Sequence, residues 1–436
     1  MLRYLGLFLV LVFTSFFFFP VEFIWFPGFN TKTAMAGVGV VILIVQLSKR
    51  RIPILDSGLM SVALWAAAVS FMSFLSITYN DTNDSSFLTY FISMCVWLAA
   101  AYLVTSIIRA VHGTISVRLV ANYLIAVCVL QCIIAFAINQ IPFLDYIVNS
   151  IFITGKEGLY KGRIYGIGAT LDIAGLRFMA VLTIISYTIT RLSESESKAY
   201  LKWYIFSFLV IGLIGNMISR STVLGVILGL LYLIWTSLSG RIKNKNNLFS
   251  IWRYLSISIT VLVVSAVSLY QINQSFRNSM HFGFEGFFSL YEQGEWEVSS
   301  NKSLIWMLKN IKPEKTRTWI IGDGYCDDPN NDPYYTGSQP KGGFYMLTDV
   351  GYMRFIFYFG ILGTLVFMGY FCQSAYVCTK HFPRYRDMFI LILLCNFIGW
   401  IKVSTDLFLV FAIFLSLILH NYSEDIETSR FQVEGK

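Results

Sequence analysis

Twelve apolar runs, most of them about twenty residues long, dominate the sequence. They lie at 2–19, 34–47, 57–78, 87–107, 119–138, 171–189, 202–218, 221–238, 251–270, 350–371, 387–400 and 402–420. A helix needs about 20 mostly apolar residues to cross a hydrocarbon core roughly 30 Å thick. Backbone groups in lipid must also be satisfied within the segment, which selects helices. Only 13% of the 436 residues are charged and 56% are apolar. A soluble domain carries about 25% charged residues, so this chain has too few charges to cover a water-facing surface. The same hydrophobicity excludes low-complexity disorder, and 7 Cys in this length exclude a disulfide scaffold. The expected fold is an all-α polytopic membrane protein, one integral domain over 1–436 with about twelve transmembrane helices. The first run ends in Phe16-Phe17-Phe18-Phe19-Pro20 without a small-residue cleavage site, so it is expected to be a retained helix.

Lys and Arg in short loops mark the cytoplasmic side. One set of alternating loops holds Lys49, Arg50, Arg51, Arg109, Arg118, Arg191, Lys198, Lys202, Arg241, Lys243, Lys245, Arg253, Lys380, Arg384 and Arg386. The opposite set holds only Lys32, Lys156, Lys161, Arg163, Arg220 and Lys402. Both termini are therefore expected in the cytoplasm. The net charge of +8 is absorbed by this asymmetry and needs no nucleic-acid partner. Two outer loops stand out, 139–170 and the large 271–349. Loops of that length are usually functional. The larger one has a possible amphipathic helix around Leu290–Asn310, with Leu304, Ile305, Leu308 and Ile311 on one face.

Arginines on the outer side run against the orientation rule and are the most informative residues. Arg220 sits in the tightest turn, Asn216-Met217-Ile218-Ser219-Arg220-Ser221-Thr222, with Arg177 and Arg354 just inside the sixth and tenth runs. Each alone could be an anchor whose side chain snorkels to the interface. Together with Arg163 and Arg277 in the adjoining loops, they suit a diphosphate or another multivalent anion, which guanidinium groups bind bidentately. Asp172 and Asp349 open the sixth and tenth helices, where a carboxylate either complements the helix dipole or serves as a base. Each lies five residues before an arginine, a spacing that puts the two on different helix faces. His281 is the outer-side histidine, solvated or catalytic.

Other chemistries lack their motifs. Asp328-Pro329-Asn330-Asn331-Asp332-Pro333 imitates a calcium loop, but Pro333 replaces the required Gly and Gln339 the required Glu. No Walker loop, HExxH or GxSxG is present. Cys128 and Cys132 are one helical turn apart without His or acidic neighbours, as expected of core filler. No metal and no cofactor are expected.

At these residues the chain resembles bacterial O-antigen polymerases and ligases. Ile218-Ser219-Arg220-Ser221 opening a Leu/Gly-rich helix is similar to their SR-type turn. Gly162-Arg163-Ile164-Tyr165-Gly166, followed by Asp172-Ile173-Ala174, is similar to their arginine–glycine loop feeding a helix. Leu304-Ile305-Trp306 with Gly322-Asp323-Gly324 resembles their large periplasmic loop. Asp349-Val350-Gly351-Tyr352-Met353-Arg354, followed by Gly360 and Gly363, is the most polymerase-like stretch. The order of these motifs covers nearly the whole chain.

The resemblance implies a Wzy-type polymerase, a GT-C-like glycosyltransferase of the bacterial inner membrane. It would join undecaprenyl-diphosphate-linked repeat units on the periplasmic side, with a chain-length regulator and a flippase as membrane partners. Arg163, Arg220, Arg354 and Asp349 would then be catalytic, and Arg177, Arg277, His281, Tyr165, Lys302 and Arg317 would contact substrate. Outer aromatics (Tyr165, Trp296, Trp306, Trp319, Tyr334, Tyr335) stack on sugars or form an interfacial belt. A ligase-type histidine is missing from 341–353, which counts against a ligase. A lipid-linked oligosaccharide flippase is the non-enzymatic alternative; it should show repeat symmetry and interrupted helices near the midplane.

Overall fold

The computed structural model describes residues 2–49, 56–154, 162–242, 245–327 and 343–420. Lys156, Lys161, the calcium-loop-like run from Asp328, Tyr334 and Tyr335 lie outside the described residues. Seventeen helices are described. The first six are α1 (Leu2–Phe18), α2 (Thr31–Ser48), α3 (Ser57–Asn80), α4 (Tyr90–His112), α5 (Val117–Gln140) and α6 (Pro142–Ile151). Next come α7 (Leu171–Thr190), α8 (Glu194–Ile218), α9 (Thr222–Leu238), α10 (Lys245–Ile272), α11 (Gln274–Gly283) and α12 (Glu285–Gln293). The last are α13 (Ser299–Asn310), α14 (Thr316–Ile320), α15 (Gly351–His381), α16 (Arg386–Gly399) and α17 (Phe408–Ile418). A helix lies in each of the twelve apolar runs, though α17 takes only 408–418 of the last one. Among the described residues, eight helices are long and apolar enough to cross a membrane, the pattern of a multi-pass membrane protein. The helices divide into two compact units, Met1–Val38 with Leu103–Trp296, and Gly39–Tyr102 with Glu297–Lys436.

In the first unit α7 is the central rod. Every residue from Ala174 to Ile189 is buried, as expected of a helix apolar on all sides. It packs on α5, α8 and α9. Gly225 and Gly229 of α9, one turn apart, let that helix lie directly on α7. A Cβ at Gly225 would meet the Met179 backbone at 2.5 Å, and one at Gly229 the Ser186 hydroxyl at 2.5 Å. Such small-residue spacing is how helices approach in lipid, where apolar burial alone does not drive them together.

In the second unit α3 packs on α15. Its buried residues are Val62, Ala66, Val69, Ser73 and Ser76, alternating by four and three along one stripe. Leu64, Phe71, Phe74 and Tyr79 on the other faces are exposed, as suits contact with lipid rather than water. α15 breaks at Phe359–Gly360, where Gly360 takes φ of 68°. The Gly322-Asp323-Gly324 turn fills the break. Asp323 N–H donates to the Phe357 carbonyl at 2.6 Å and Gly324 N–H to that of Tyr358 at 3.2 Å. The Ser76 hydroxyl also donates to the Tyr358 carbonyl, at 2.5 Å. The two chains touch so closely that a Cβ on Gly360 would run into the Ile320 carbonyl. The carbonyls freed by the kink are thus paired, as the low-dielectric setting requires.

Two local expectations need correction. The single amphipathic helix around Leu290–Asn310 is two helices, α12 and α13. Gly294 caps α12 in the left-handed conformation at φ of 77°, which ends the helix. The inward face of α13 is Leu304, Met307 and Ile311, packed with Val350 and Phe357. Ile305 and Leu308 are exposed instead. The loop 139–170 is also not helix-free, since Pro142 at its first position starts α6.

Candidate active site

The Ser219-Arg220-Ser221 turn joins α8 to α9 in the first unit. Leu171, with a left-handed φ of 53°, turns the chain into α7 and sets Asp172 beside that turn. One carboxylate oxygen of Asp172 accepts from the Ser219 hydroxyl at 2.7 Å and from the Ser221 hydroxyl at 2.9 Å. It also lies 4.0 Å from Arg163 Nη2. Thr170, not Asp172, occupies the N-cap position of α7, with no side-chain cap bond. Asp172 is therefore the clasp of the serine–arginine turn rather than a helix cap.

Arg163 and Arg220 meet on one aromatic ring. Arg163 Nε donates to the Ile218 carbonyl at 2.8 Å. Arg220 Nε donates to the Phe282 carbonyl at 2.8 Å, and its Nη1 lies 2.6 Å from the Glu285 carboxylate. Their guanidinium carbons are 5.4 and 4.4 Å from the centre of the Phe282 ring. Asn216 ties the same segment in, its Nδ2 donating to the Gly283 carbonyl at 2.6 Å. Burial lowers the Arg220 pKa, and the charges of Glu285 and Asp172 oppose that shift. The arrangement is two arginines balanced by two carboxylates, on segments drawn from three parts of the chain. It holds guanidinium forks in place at the end of two apolar helices, where an anionic group can exchange with a carboxylate partner.

The other outer residues of this unit have different surroundings. Arg177 is buried and donates from Nη1 to the Phe18 carbonyl at 2.6 Å, near the Phe19 ring. Arg277 donates to the carbonyls of Tyr270 and Gln271, both at 3.1 Å, covering the carboxyl end of α10. His281 Nε2 is 2.7 Å from the Tyr270 hydroxyl, with its ring stacked on Phe288 at 3.9 Å. Tyr165 is buried and donates to Asp145 while accepting from Asn149 Nδ2 at 2.7 Å. Burial, with the Asp145 bond, raises its pKa.

Arg354 belongs to the second unit, where it is buried. Its Nη1 donates to the Ser404 hydroxyl at 2.6 Å, and its Nη2 to the Cys326 carbonyl at 3.0 Å. Nη2 is also 2.9 Å from Asp327 Oδ1, and the guanidinium lies 3.8 Å from the Phe344 ring centre. Asp84 receives the N–H groups of Cys326 and Asp327 at 2.7 and 3.2 Å. Arg354 thus pins the 326–327 segment and the non-helical stretch before α17 to α15. Burial pushes the Cys326 thiol up to about 12 although Arg354 pulls it down. Burial also raises the Asp327 carboxyl, against the same arginine. Asp349 directly precedes Val350, which holds the N-cap position of α15. Lys302 pairs with Glu297, and Arg317 Nη2 is 3.5 Å from Asp323.

Sequence reasoning missed Glu285 and Phe282, which complete the arginine cluster; it placed Asp172 at the start of a helix, where the structure has it in the first turn of α7, but missed its bonds to Ser219 and Ser221. The serines flanking Arg220 were a usable signal, because two hydroxyls around one arginine call for a shared acceptor. No group of three or more His, Cys, Asp or Glu among the described residues is placed to hold a metal ion. Set against protein-family profiles, curated proteins and solved structures, the chain matches none.

Proposed function

We propose that this chain is a polysaccharide polymerase, a glycosyltransferase acting on glycans carried by undecaprenyl diphosphate at the outer face of a bacterial inner membrane. In this reading all twelve apolar runs cross the membrane, both termini are cytoplasmic, the architecture is GT-C-like and no cofactor takes part. The observation that carries it is the pairing of Arg163 with Arg220 on the Phe282 ring, organised by Asp172. A lipid diphosphate stays in the membrane, so its anion site must lie where apolar helices end. The Ser219–Ser221 turn between α8 and α9 meets that condition.

In the reaction an acceptor sugar hydroxyl oxygen bonds to the anomeric carbon of the donor. The bond from that carbon to the phosphate oxygen breaks, and the diphosphate leaves with the electron pair. The hydroxyl proton passes to a base. Negative charge grows on the departing diphosphate, and fixed guanidinium groups stabilise it more in the transition state than in the bound substrate. Arg220 exchanges Glu285 for a diphosphate oxygen, while Arg163 stays anchored to the Ile218 carbonyl. Arg354, in this reading, keeps the second unit's 326–327 segment in place.

The test is Arg220→Ala and Arg220→Lys, assayed with purified protein on lipid-linked repeat units. The alanine variant should stay in the membrane and lose polymer. The lysine variant should recover only part of the activity, because a point charge cannot reproduce the guanidinium fork. Full activity in Arg220→Ala would remove the reading.

A further inference from the structure

A cleft of about 290 Å³ lies wholly within the second unit, near the lower end of ligand pockets, roughly 300–1,000 Å³. It is lined by the basic segment Lys312–Arg317 and by Tyr325, Tyr345 and Phe357 of α15. The Trp319 indole donates to the Pro313 carbonyl at 2.9 Å, which fixes the basic segment. Asp323, from the turn lodged in the α15 break, also lines the cleft. Asp323 is already engaged there by the Thr318 hydroxyl at 2.6 Å, Arg317 at 3.5 Å and the Tyr345 hydroxyl at 3.4 Å.

The charges left over are those of the exposed basic segment. Lys312 and Lys315 make no ion pair among the described residues, and exposed Glu314 stands between them. The Tyr325 and Tyr345 rings lie 5.4 Å apart with 35° between their planes, forming an aromatic surface. Met346 and Leu347 beside it hold left-handed backbone at φ of 56° and 55°. Such strain in non-glycine residues persists where surrounding structure imposes it and gathers at binding sites.

We infer that this cleft binds one acidic sugar of a glycan, its carboxylate on Lys312 and Lys315 and its ring face on the tyrosines. Glu314 accepts hydrogen bonds from hydroxyls of the same sugar. Two free ammonium groups favour an anion, the aromatic surface favours a pyranose ring over a bare ion, and the volume limits the fit to about one or two residues of the chain. The inference rests on the polymerase reading only for the source of the glycan.

The experiment uses the full chain in lipid nanodiscs and measures binding calorimetrically, without any transfer. The probes are tetragalacturonate, its methyl ester, maltotetraose and inorganic phosphate. Tetragalacturonate should bind saturably, and the ester and maltotetraose should bind at least about tenfold more weakly, as loss of a charge-assisted contact implies. Lys312→Ala with Lys315→Ala should bring tetragalacturonate down to the level of the ester. Both lysines are exposed, so the thermal melt should be unchanged. Equal binding of the ester, displacement by equimolar phosphate, no binding at all, or an unaffected double variant would each overturn the proposal. Tetragalacturonate binding in a protein that makes no polymer would refute the polymerase reading and leave the cleft standing.

Discussion

Replacing Asp172 by Ala separates a helix cap from a clasp by magnitude. Losing a cap costs about 1 kcal/mol. The structure gives Asp172 more to lose, namely two hydroxyl donors at 2.7 and 2.9 Å from the turn between α8 and α9. A hydrogen bond to a charged group contributes about 1.5–3 kcal/mol. The Asp172 side chain is 26% exposed, so the lower end applies, about 3 kcal/mol for the pair. Arg163 at 4.0 Å adds at most about 1 kcal/mol for a partly screened pair. Asp172→Ala should therefore destabilise the protein by about 3–4 kcal/mol in equilibrium unfolding from mixed micelles. The decisive measurement is a double-mutant cycle with Ser219→Ala and another with Ser221→Ala. Each should show a coupling of about 1–1.5 kcal/mol, since partners in contact are not additive. Couplings below about 0.5 kcal/mol for both serines, or a total loss near that of a cap, would refute the clasp.

Glu285→Gln should tighten binding of inorganic diphosphate about fivefold or more by releasing Arg220 from a charged competitor; calorimetry showing weaker binding would reverse the role given to Glu285. The Cys326 thiol should resist maleimide at pH 8.5 until the protein unfolds, once exposed Cys95 and Cys372 are replaced, because only the thiolate reacts. Its raised pKa contributes stability that is complete below the unfolded thiol value of about 8.5 and is lost as pH rises towards about 12. Denaturant titrations should therefore show no loss from this group between pH 6 and 8, and a decline above that range. Reporter fusions after residues 50, 195, 244 and 382 should read as cytoplasmic and those near 150 and 300 as periplasmic; a cytoplasmic signal at 300 would put the proposed chemistry on the wrong face.

The helices were legible because lipid leaves a chain few choices. Each apolar run became a helix, since both the length of the run and the need to pair the backbone point the same way. Helix ends and breaks were less legible. The kink at Phe359–Gly360 depends on the Gly322–Gly324 turn about 40 residues earlier, which supplies N–H groups to carbonyls that the α-helix would have used. Nothing local in Phe355–Gly363 requires it. The split between α12 and α13 was readable, for Gly294 is the ordinary stop signal. The face of α13 was not, because Met307 and Ile311 are buried by Val350 and Phe357, residues some 40 positions away.

The candidate site divides along the same line. The five-residue spacing of Asp172 and Arg177 correctly implied different faces, and in the structure one side chain reaches Ser219 and Ser221 while the other reaches the Phe18 carbonyl. Charge in an unfavourable place was the visible signal for Arg163 and Arg220. What neutralises them was hidden, since Glu285 sits in a loop rich in acids and no spacing rule singles it out. Its part is decided by where α11 and α12 dock, with Asn216 bonded to the Gly283 carbonyl and Phe282 laid against both guanidinium groups. A bare arginine pair inside such a fold would repel itself and attract any passing anion. Balancing it with Asp172 and Glu285 keeps the forks in register before a ligand arrives. Of the two carboxylates, Asp172 is tied to both serines and must stay, whereas Glu285 is the more exposed partner, at 32% against 26%. In the proposed reading the carboxylate that yields to a diphosphate is accordingly Glu285, and the clasp at Asp172 holds the turn in place while it does so.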